Sequence, residues 1–432
     1  MIRHALIPLA AAGPLLAVPE GFEIHEFAGP PNADYPAAIT VAPNGDVYVS
    51  SDQNGSLGKR PGMGRIIRCR DTDGDGRADD FVHFVPDVDS PRGGHFVGGT
   101  LYLIHPPHLS AFRDADGDGV AEQKVGLVKG FGGGIEHPRG ADHTTNGVRM
   151  GIDGWLYVSV GDFGMAEAQG SDGTVYTLHG GGVVRVRPDG SEMEPYALMT
   201  RNTCDTAISP TLDLFSRDNT NDGKGWNTRF HHYTALGDHG YPRLYQNFAD
   251  EAIAPLADYG GGSGTGGLWL HEPGFPGEFG DMLFSCDWTT GNVYYHPSKR
   301  EGASFSVRQE VFHKTPNATD IDVDGFSRLY LADWRGGGYN YAGDGKPVGL
   351  VHYLFHRHGW KIENVCYLQD LYADPDVRGK GIGRALIEAV YAAADAEGCP
   401  TVYWNTQDFN ATARKLYDRI GKLTPFIKYN RF

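Results

Sequence analysis

The sequence is poor in cysteine. It has five in 432 residues, Cys69, Cys204, Cys286, Cys366 and Cys399, and no two stand as C-x-x-C. That excludes a zinc knuckle and a c-type haem attachment. Five is odd, so whatever distant pairs form, one thiol stays free or pairs between chains. Long apolar runs are missing too. The basic start and the stretch from Ala5 to Val18 are too short to span a bilayer. They read either as a secretory signal or as an apolar lead-in strand. No other stretch approaches a transmembrane helix. Basic residues are outnumbered, 38 against 54 acidic, for a net charge of −16. That balance argues against general nucleic-acid binding and for a soluble protein. What the chain has in excess is glycine, 61 residues, about twice the ordinary share of roughly 7%. These glycines cluster at turns and follow no G-x-y period, so they predict many tight turns.

One stretch, Asp142 to Gly164, serves as a template. It holds a polar approach with His143, a turn at Asp153-Gly154, the strand Trp155-Leu-Tyr-Val-Ser-Val, and then Asp162. Asp-Gly between apolar runs is a hairpin signal. The turn-then-strand pattern recurs, with its strands counted from Val47, Leu101, Leu156, Leu214, Leu283 and Leu329, at steps of 54, 55, 58, 69 and 46 residues. Such spacing, with several short strands per step and no helical period, predicts a six-bladed β-propeller over residues 19–343. Residues 1–18 form the lead-in, and residues 344–432 form a second, α/β module.

Two inserts share a chemistry. Asp71, Asp73, Asp75 and Asp79 in one, and Asp114, Asp116 and Asp118 in the other, place carboxylates at alternate positions with a glycine at the sixth. Oxygen ligands so spaced wrap a hard cation such as Ca²⁺; neither insert has an EF-hand's glutamate at position 12. They read either as calcium loops or as carboxylate-rich turns between blade strands. His143 reads either as a turn histidine or as part of a site. Its company in the sequence is Arg201-Asn202, Asp218-Asn219 and Gly240-Tyr241-Pro242, since distant loops of a propeller meet at one central channel.

Those residues, with Asn146-Gly147-Val-Arg and Gly154-Trp-Leu-Tyr-Val-Ser-Val-Gly-Asp162, resemble the soluble quinoprotein sugar dehydrogenases, the sorbosone-dehydrogenase-like propellers and their membrane-bound dehydrogenase relatives. The resemblance runs from about Pro19 to Gly343. It implies His143 as general base toward a sugar hydroxyl, Asp162 as the residue that orients it, and Arg201 facing the oxygens of pyrroloquinoline quinone (PQQ). It further implies Asp218 and Asn219 near a Ca²⁺ that polarises that cofactor. The chain departs from the group in three ways. Only Arg328 and Arg335 are near candidates for the quinone carboxylates. Arg201-Asn202 runs on as Thr-Cys-Asp. The helical repeats and haem domain of the closer relatives are not in this sequence.

The last 89 residues use a different code. Strand, glycine-rich loop, helix, strand and helix follow one another, which predicts an α/β module. The loop Arg378-Gly379-Lys380-Gly381-Ile382-Gly383-Arg384 opens a helix, where free amides and cations suit a pyrophosphate. Arg378-x-x-Gly381-x-Gly383, with Asn410-Ala-Thr-Ala-Arg-Lys-Leu-Tyr417 after the next strand, resembles the GNAT acetyltransferases. By that resemblance the amides from Gly379 to Arg384 hold the pyrophosphate of acetyl-CoA. The edge Leu371-Tyr372-Ala373 pairs with the pantetheine arm, Asn410 touches that arm, and Tyr417 protonates the leaving thiolate. Glu363 and Asp370 are candidate bases. The family's first half, which builds the acceptor wall, is missing. The stretch Val348 to Leu354 can complete either the sixth blade or the acetyltransferase sheet, but not both.

Acetyl-CoA-dependent N-acetylation of a small amine therefore ranks first. PQQ- and Ca²⁺-dependent oxidation of a sugar ranks second, and a glycan- or protein-binding propeller third. The first implies a cytoplasmic protein; a signal at the N-terminus implies a periplasmic or secreted one.

Overall fold

The computed structural model describes residues 18–165, 167–221, 226–244, 247–334, 349–359, 361–373, 375 and 381–425. The chain falls into two units, Met1–Asn340 and Tyr341–Phe432, and each is taken by itself.

The first unit is a ring of six blade sheets with one further two-stranded hairpin, Ser298–Glu301 and Ser304–Val307, and its strands pair antiparallel except Glu194–Thr200 with Gly237–Asp238. Their second strands are Val47–Asp52, Thr100–His105, Leu156–Val160, Leu214–Asn221, Asp281–Asp287 and Leu329–Asp333. These are the six strands of the sequence repeat. Before five of them the turn residue is left-handed: Gly45, Gly99 and Gly154, then Leu212 at φ 62° and Ser327 at φ 61°. Glycine takes that conformation at no steric cost, and the tight turn sets the hairpin register. The second strands lie between neighbouring sheets, so both faces are buried. Val47–Asp52 and Leu156–Val160 are buried at every position, which is why they read as continuous rather than alternating apolar runs.

The first five sheets each carry four strands or more, and the sixth has two among the described residues, Ala318–Val323 and Leu329–Asp333. The ring still closes. Ile39 N–H donates to Asp320 Oδ2 at 3.0 Å and Val41 N–H to Asp322 Oδ2 at 2.8 Å. The Thr319 hydroxyl donates to the Pro36 carbonyl at 2.9 Å. The segment before the first strand packs on both the fifth and the sixth sheets. Phe22 packs on Phe279 and Phe312 at 5.3 and 5.2 Å between ring centroids, and Phe27 packs on Tyr330 at 5.1 Å.

The second unit is a three-stranded sheet backed by two helices. Strand Gly349–Arg357 pairs antiparallel with Asn364–Ala373 along its full length, from Gly349↔Ala373 to Arg357↔Asn364. The contested stretch therefore belongs to this sheet, not to the sixth blade. Val402–Tyr403 pairs parallel on the other side, at Cys366↔Val402 and Tyr367↔Tyr403 alone. Helices α1 (Ile382–Ala396) and α2 (Ala411–Ile420) bury Ile387, Val390 and Ala394 of α1 against Cys366 and Leu368, with Leu416, Tyr417 and Ile420 of α2 at the margin. No described helix is long and apolar enough to cross a membrane.

Candidate functional site

A cavity of about 990 Å³, counted to its open mouth, sits where the inner strands converge. Every blade contributes to its lining, among them Ala38, Arg92, His143, Arg149, Asn202, Asp205, Trp288, Asp320 and Trp334. His143 adopts φ 51°, an uncommon conformation for a residue with a side chain. Its Nδ1 lies 2.6 Å from Asp162 Oδ1. A carboxylate only accepts, so with Asp162 as its partner Nδ1 carries the proton and Nε2 is left as an acceptor. Asp142 Oδ1 stands 3.9 Å from that Nε2. The structure thus brings together His143 and Asp162, nineteen residues apart.

Arg201 and Asn202 turn around Asp218. Both backbone amides donate to Asp218 Oδ1 at 2.9 Å, and Arg229 donates to Oδ2 at 3.0 Å. Arg201 Nη1 donates to the carbonyl and Oδ1 of Asn219 at 3.3 Å each. Burial would raise the Asp218 carboxyl, but the nearby His231 ring, its Nε2 3.6 Å from Oδ2, and the charge of Arg229 hold it below the usual range. Asp218 and Asn219 are thus occupied in an arginine-anchoring network, where metal ligation was expected of them.

The floor of the cavity was not foreseen from sequence. Arg149 donates to Asp205 Oδ2 at 2.9 Å and to Asp322 Oδ1 at 3.1 Å, and lies 3.8 Å from Asp320 Oδ1. One guanidinium thus faces three carboxylates. Burial first, and Asp205 second, push the Asp320 carboxyl up to about 8 against the pull of Arg149. Arg92 is likewise taken by Asp52, at 2.7 Å. Arg328 bonds Asp324 at 2.6 Å and lies 3.7 Å from Asp71, outside the cavity lining; Arg335 lies outside the described residues. Among the described residues, then, both lining cations face buried carboxylates, and this lining does not fit a quinone bearing several carboxylates. It does offer two buried polar atoms without a partner, Asn202 Oδ1 and Trp334 Nε1.

The two acidic inserts fold alike. Asp71 Oδ1 and Oδ2 accept from Gly74 and Gly76 N–H, as Asp114 accepts from Gly117 and Gly119. Carboxylate oxygens of Asp71, Asp73 and Asp75 gather within 4.8 Å of one another, as do those of Asp114, Asp116, Asp118 and Glu122. Asp79 instead accepts from Thr72 N–H at 2.9 Å. Glu122, which stands where Asp79 does in the first insert, was missed because the expectation counted aspartates.

In the second unit Arg378, Gly379 and Lys380 lie outside the described residues. Gly381 caps α1 at φ 90°, and Ile382, Gly383 and Arg384 form its first turn. A Cβ on Gly383 would sit 3.2 Å from Leu416 Cδ2, so glycine there lets α1 approach α2. Arg384 pairs with Glu388 at 3.2 Å. Leu371, Tyr372 and Ala373 end their strand beyond the point where Val402–Tyr403 pairs with it. Asn410 caps α2, accepting from Ala413 N–H at 3.4 Å. Tyr417 packs on Trp404 at 5.5 Å between centroids, and burial raises its hydroxyl above the ordinary value.

Two family models match the chain. One, described as Domain of unknown function (DUF7133), covers residues 10–258; the other, the Acetyltransferase (GNAT) family, covers residues 307–421. The second match begins within strands of the fifth and sixth blades, whereas the acetyltransferase sheet begins at Gly349. The D-amino-acid N-acetyltransferase HPA3 of Saccharomyces cerevisiae is 44% identical over 87 residues, 20% of this chain and 54% of that protein. The thialysine N-epsilon-acetyltransferase of Bos taurus is 38% identical over 74 residues, 17% of this chain and 43% of that protein. The chain thus spans about half the length of these relatives. Among solved structures, a glucose dehydrogenase-type oxidoreductase of Thermus thermophilus superposes with TM-score 0.54 at 17% identity, over 76% of this chain and 97% of that one. The PQQ-bound aldose sugar dehydrogenase of Streptomyces coelicolor superposes with TM-score 0.52 at 14% identity, over 72% of this chain and 92% of that one. At such identities the likeness is one of fold. The molecule joins a propeller with the sugar-dehydrogenase fold to a C-terminal GNAT-type segment.

Proposed function

The chain belongs to the family described as Domain of unknown function (DUF7133), and we propose that the segment joined to that propeller binds acetyl-CoA and acetylates a small primary amine. The observation that carries this reading is that strand Asn364–Ala373 pairs with Val402–Tyr403 only at Cys366 and Tyr367. That leaves strand edge at Leu371 and Tyr372 for an extended amide-bearing arm. The first-turn amides of α1 suit a pyrophosphate. Acetyl-CoA, when bound, supplies an activated thioester. Tyr417, kept protonated by burial, donates its hydroxyl proton to the departing thiolate. The substrates named for the yeast and bovine relatives, D-amino acids and thialysine, define the first panel of acceptors.

Calorimetric titration of the full chain with CoA tests the reading. We expect saturable heat that is lost on Gly383→Trp; no heat at millimolar CoA refutes it.

A second reading concerns the propeller. Asn202, Trp334 and His143 all line the cavity, and Asn202 Oδ1 and Trp334 Nε1 are unpartnered among the described residues; an acceptor, a donor and an imidazole suit a neutral sugar. Tryptophan fluorescence should respond to aldoses through Trp288 and Trp334. A parallel titration with PQQ and Ca²⁺ should leave it unchanged; quenching by the quinone would reverse the fit argument.

A further inference from the structure

The sheet of the second unit has two unlike faces. Val351, Phe355, Cys366, Leu368 and Leu371 face the helices. Successive side chains of a strand point to opposite faces, so the other face carries the cross-strand pairs Leu350↔Tyr372, His352↔Asp370 and Leu354↔Tyr367. Leu350, Leu354 and Tyr372 are exposed there. In the middle of this apolar surface sits one polar pair, with His352 Nδ1 3.2 Å from Asp370 Oδ2. A bulge puts it there. The register steps from His352↔Asp370 to Tyr353↔Leu368, so Gln369 is the extra residue. The bulge turns Asp370 outward while keeping both Leu368 and Leu371 on the helix face. Asp370 directly precedes Leu371, where the open strand edge begins.

We propose that His352 is the base that takes the proton from the acceptor amine, with Asp370 as its positioning residue. We further assign Leu350, Leu354 and Tyr372 as the platform for an apolar body that carries the amine. This rests on the acetyl-CoA reading above. Asp370 accepts from Nδ1–H, so Nε2 is the basic atom, and among the described residues it has no partner. The other imidazole on this face, His356, is engaged: its Nε2 lies 2.9 Å from the Tyr403 hydroxyl and its Nδ1 2.8 Å from the Arg357 carbonyl. The remaining titratable groups on the face are Tyr367, Tyr372 and Tyr403. In the reaction the ammonium gives one proton to His352 Nε2. The amine nitrogen then bonds to the acetyl carbon and the carbon–sulfur bond breaks. Sulfur takes the proton of Tyr417, the amide nitrogen sheds its second proton to restore that hydroxyl, and His352 releases its proton to water. The net change is one amide, one thiol and one proton.

The test uses the full chain, with CoA binding by calorimetry and acetylation of hydrophobic primary amines from pH 5 to 9. His352→Gln should bind CoA as the parent does. Its kcat/KM should fall by roughly 10²–10⁴-fold, and the acid limb of its pH profile should vanish. Free imidazole should restore part of the rate to His352→Ala. Asp370→Asn should give a smaller loss. A His352→Gln protein that binds CoA and keeps the parental rate and acid limb overturns the assignment of the base alone. Parental protein that binds CoA but acetylates no amine overturns the base and platform. Failure of the parent to bind CoA overturns the acetyl-CoA reading and this inference with it.

Discussion

Replacing Arg149 by methionine tests the central network of the propeller. The guanidinium holds Asp205 at 2.9 Å and Asp322 at 3.1 Å, and stands 3.8 Å from Asp320. Methionine fills much of the space but leaves the buried carboxyls of Asp205 and Asp320, and the half-buried Asp322, without their cation. Removing one partner of a buried ion pair costs about 3–5 kcal/mol. At roughly 2–4 °C per kcal/mol for a domain of a few hundred residues, that is a fall in Tm on the order of 6–15 °C. The sign of the pH effect follows from the carboxyls. Burial already raises those of Asp205 and Asp320 against the pull of Arg149, and without Arg149 they rise further. An acid whose folded value lies above its unfolded one loses stability as pH climbs between the two. Parent and variant therefore part company only above the parent's Asp320 value of about 8, so the deficit of Arg149→Met should be larger at pH 9 than at pH 5. Scanning calorimetry of parent and variant at both pH values reads it. A deficit below about 1 kcal/mol, far under the buried-pair cost, or an equal deficit at both pH values, would refute the reasoning.

Three further outcomes follow from particular contacts. Asp218→Asn should cost about 3–5 kcal/mol at neutral pH through the loss of its pairing with Arg229. Its carboxyl is held low, so the difference from the parent should disappear as pH falls through that folded value; acid titration of both melting curves shows it. Tyr417→Phe should lower kcat for acetylation by at least about 10²-fold while CoA affinity, read by calorimetry, stays put. Calcium should bind twice per chain, and Asp73→Asn with Asp116→Asn should abolish both events. Two titration steps surviving that double change would rule out the inserts as the ligand loops.

How far the sequence spoke depended on distance along the chain. Turn-plus-strand signals are local, so all six second strands were legible from glycine and aromatic spacing. His143 and Asp162 were legible because one hairpin brings them together. The floor was not: Arg149, Asp205 and Asp320 meet only because the ring closes, and nothing in their spacing says so. Asp218 was placed near a Ca²⁺ only through the family resemblance; its burial against Arg229 and two amides is a tertiary fact. The stretch Val348 to Leu354 was undecidable because an apolar strand carries no label for its partner. Nine paired positions with Asn364–Ala373 compete with a blade edge of five residues, and the longer register prevails.

The seam between the sixth blade and the first is fastened by side chains, Asp320 and Asp322 gripping the amides of Ile39 and Val41, and not by a strand borrowed from the far end of the chain. The bonds of that latch use only residues 36–41 and 319–322, all of them before Asp333. Exchange of genetic segments could therefore substitute one follower for another downstream of that position without springing the latch, and an acetyltransferase fragment is one such passenger.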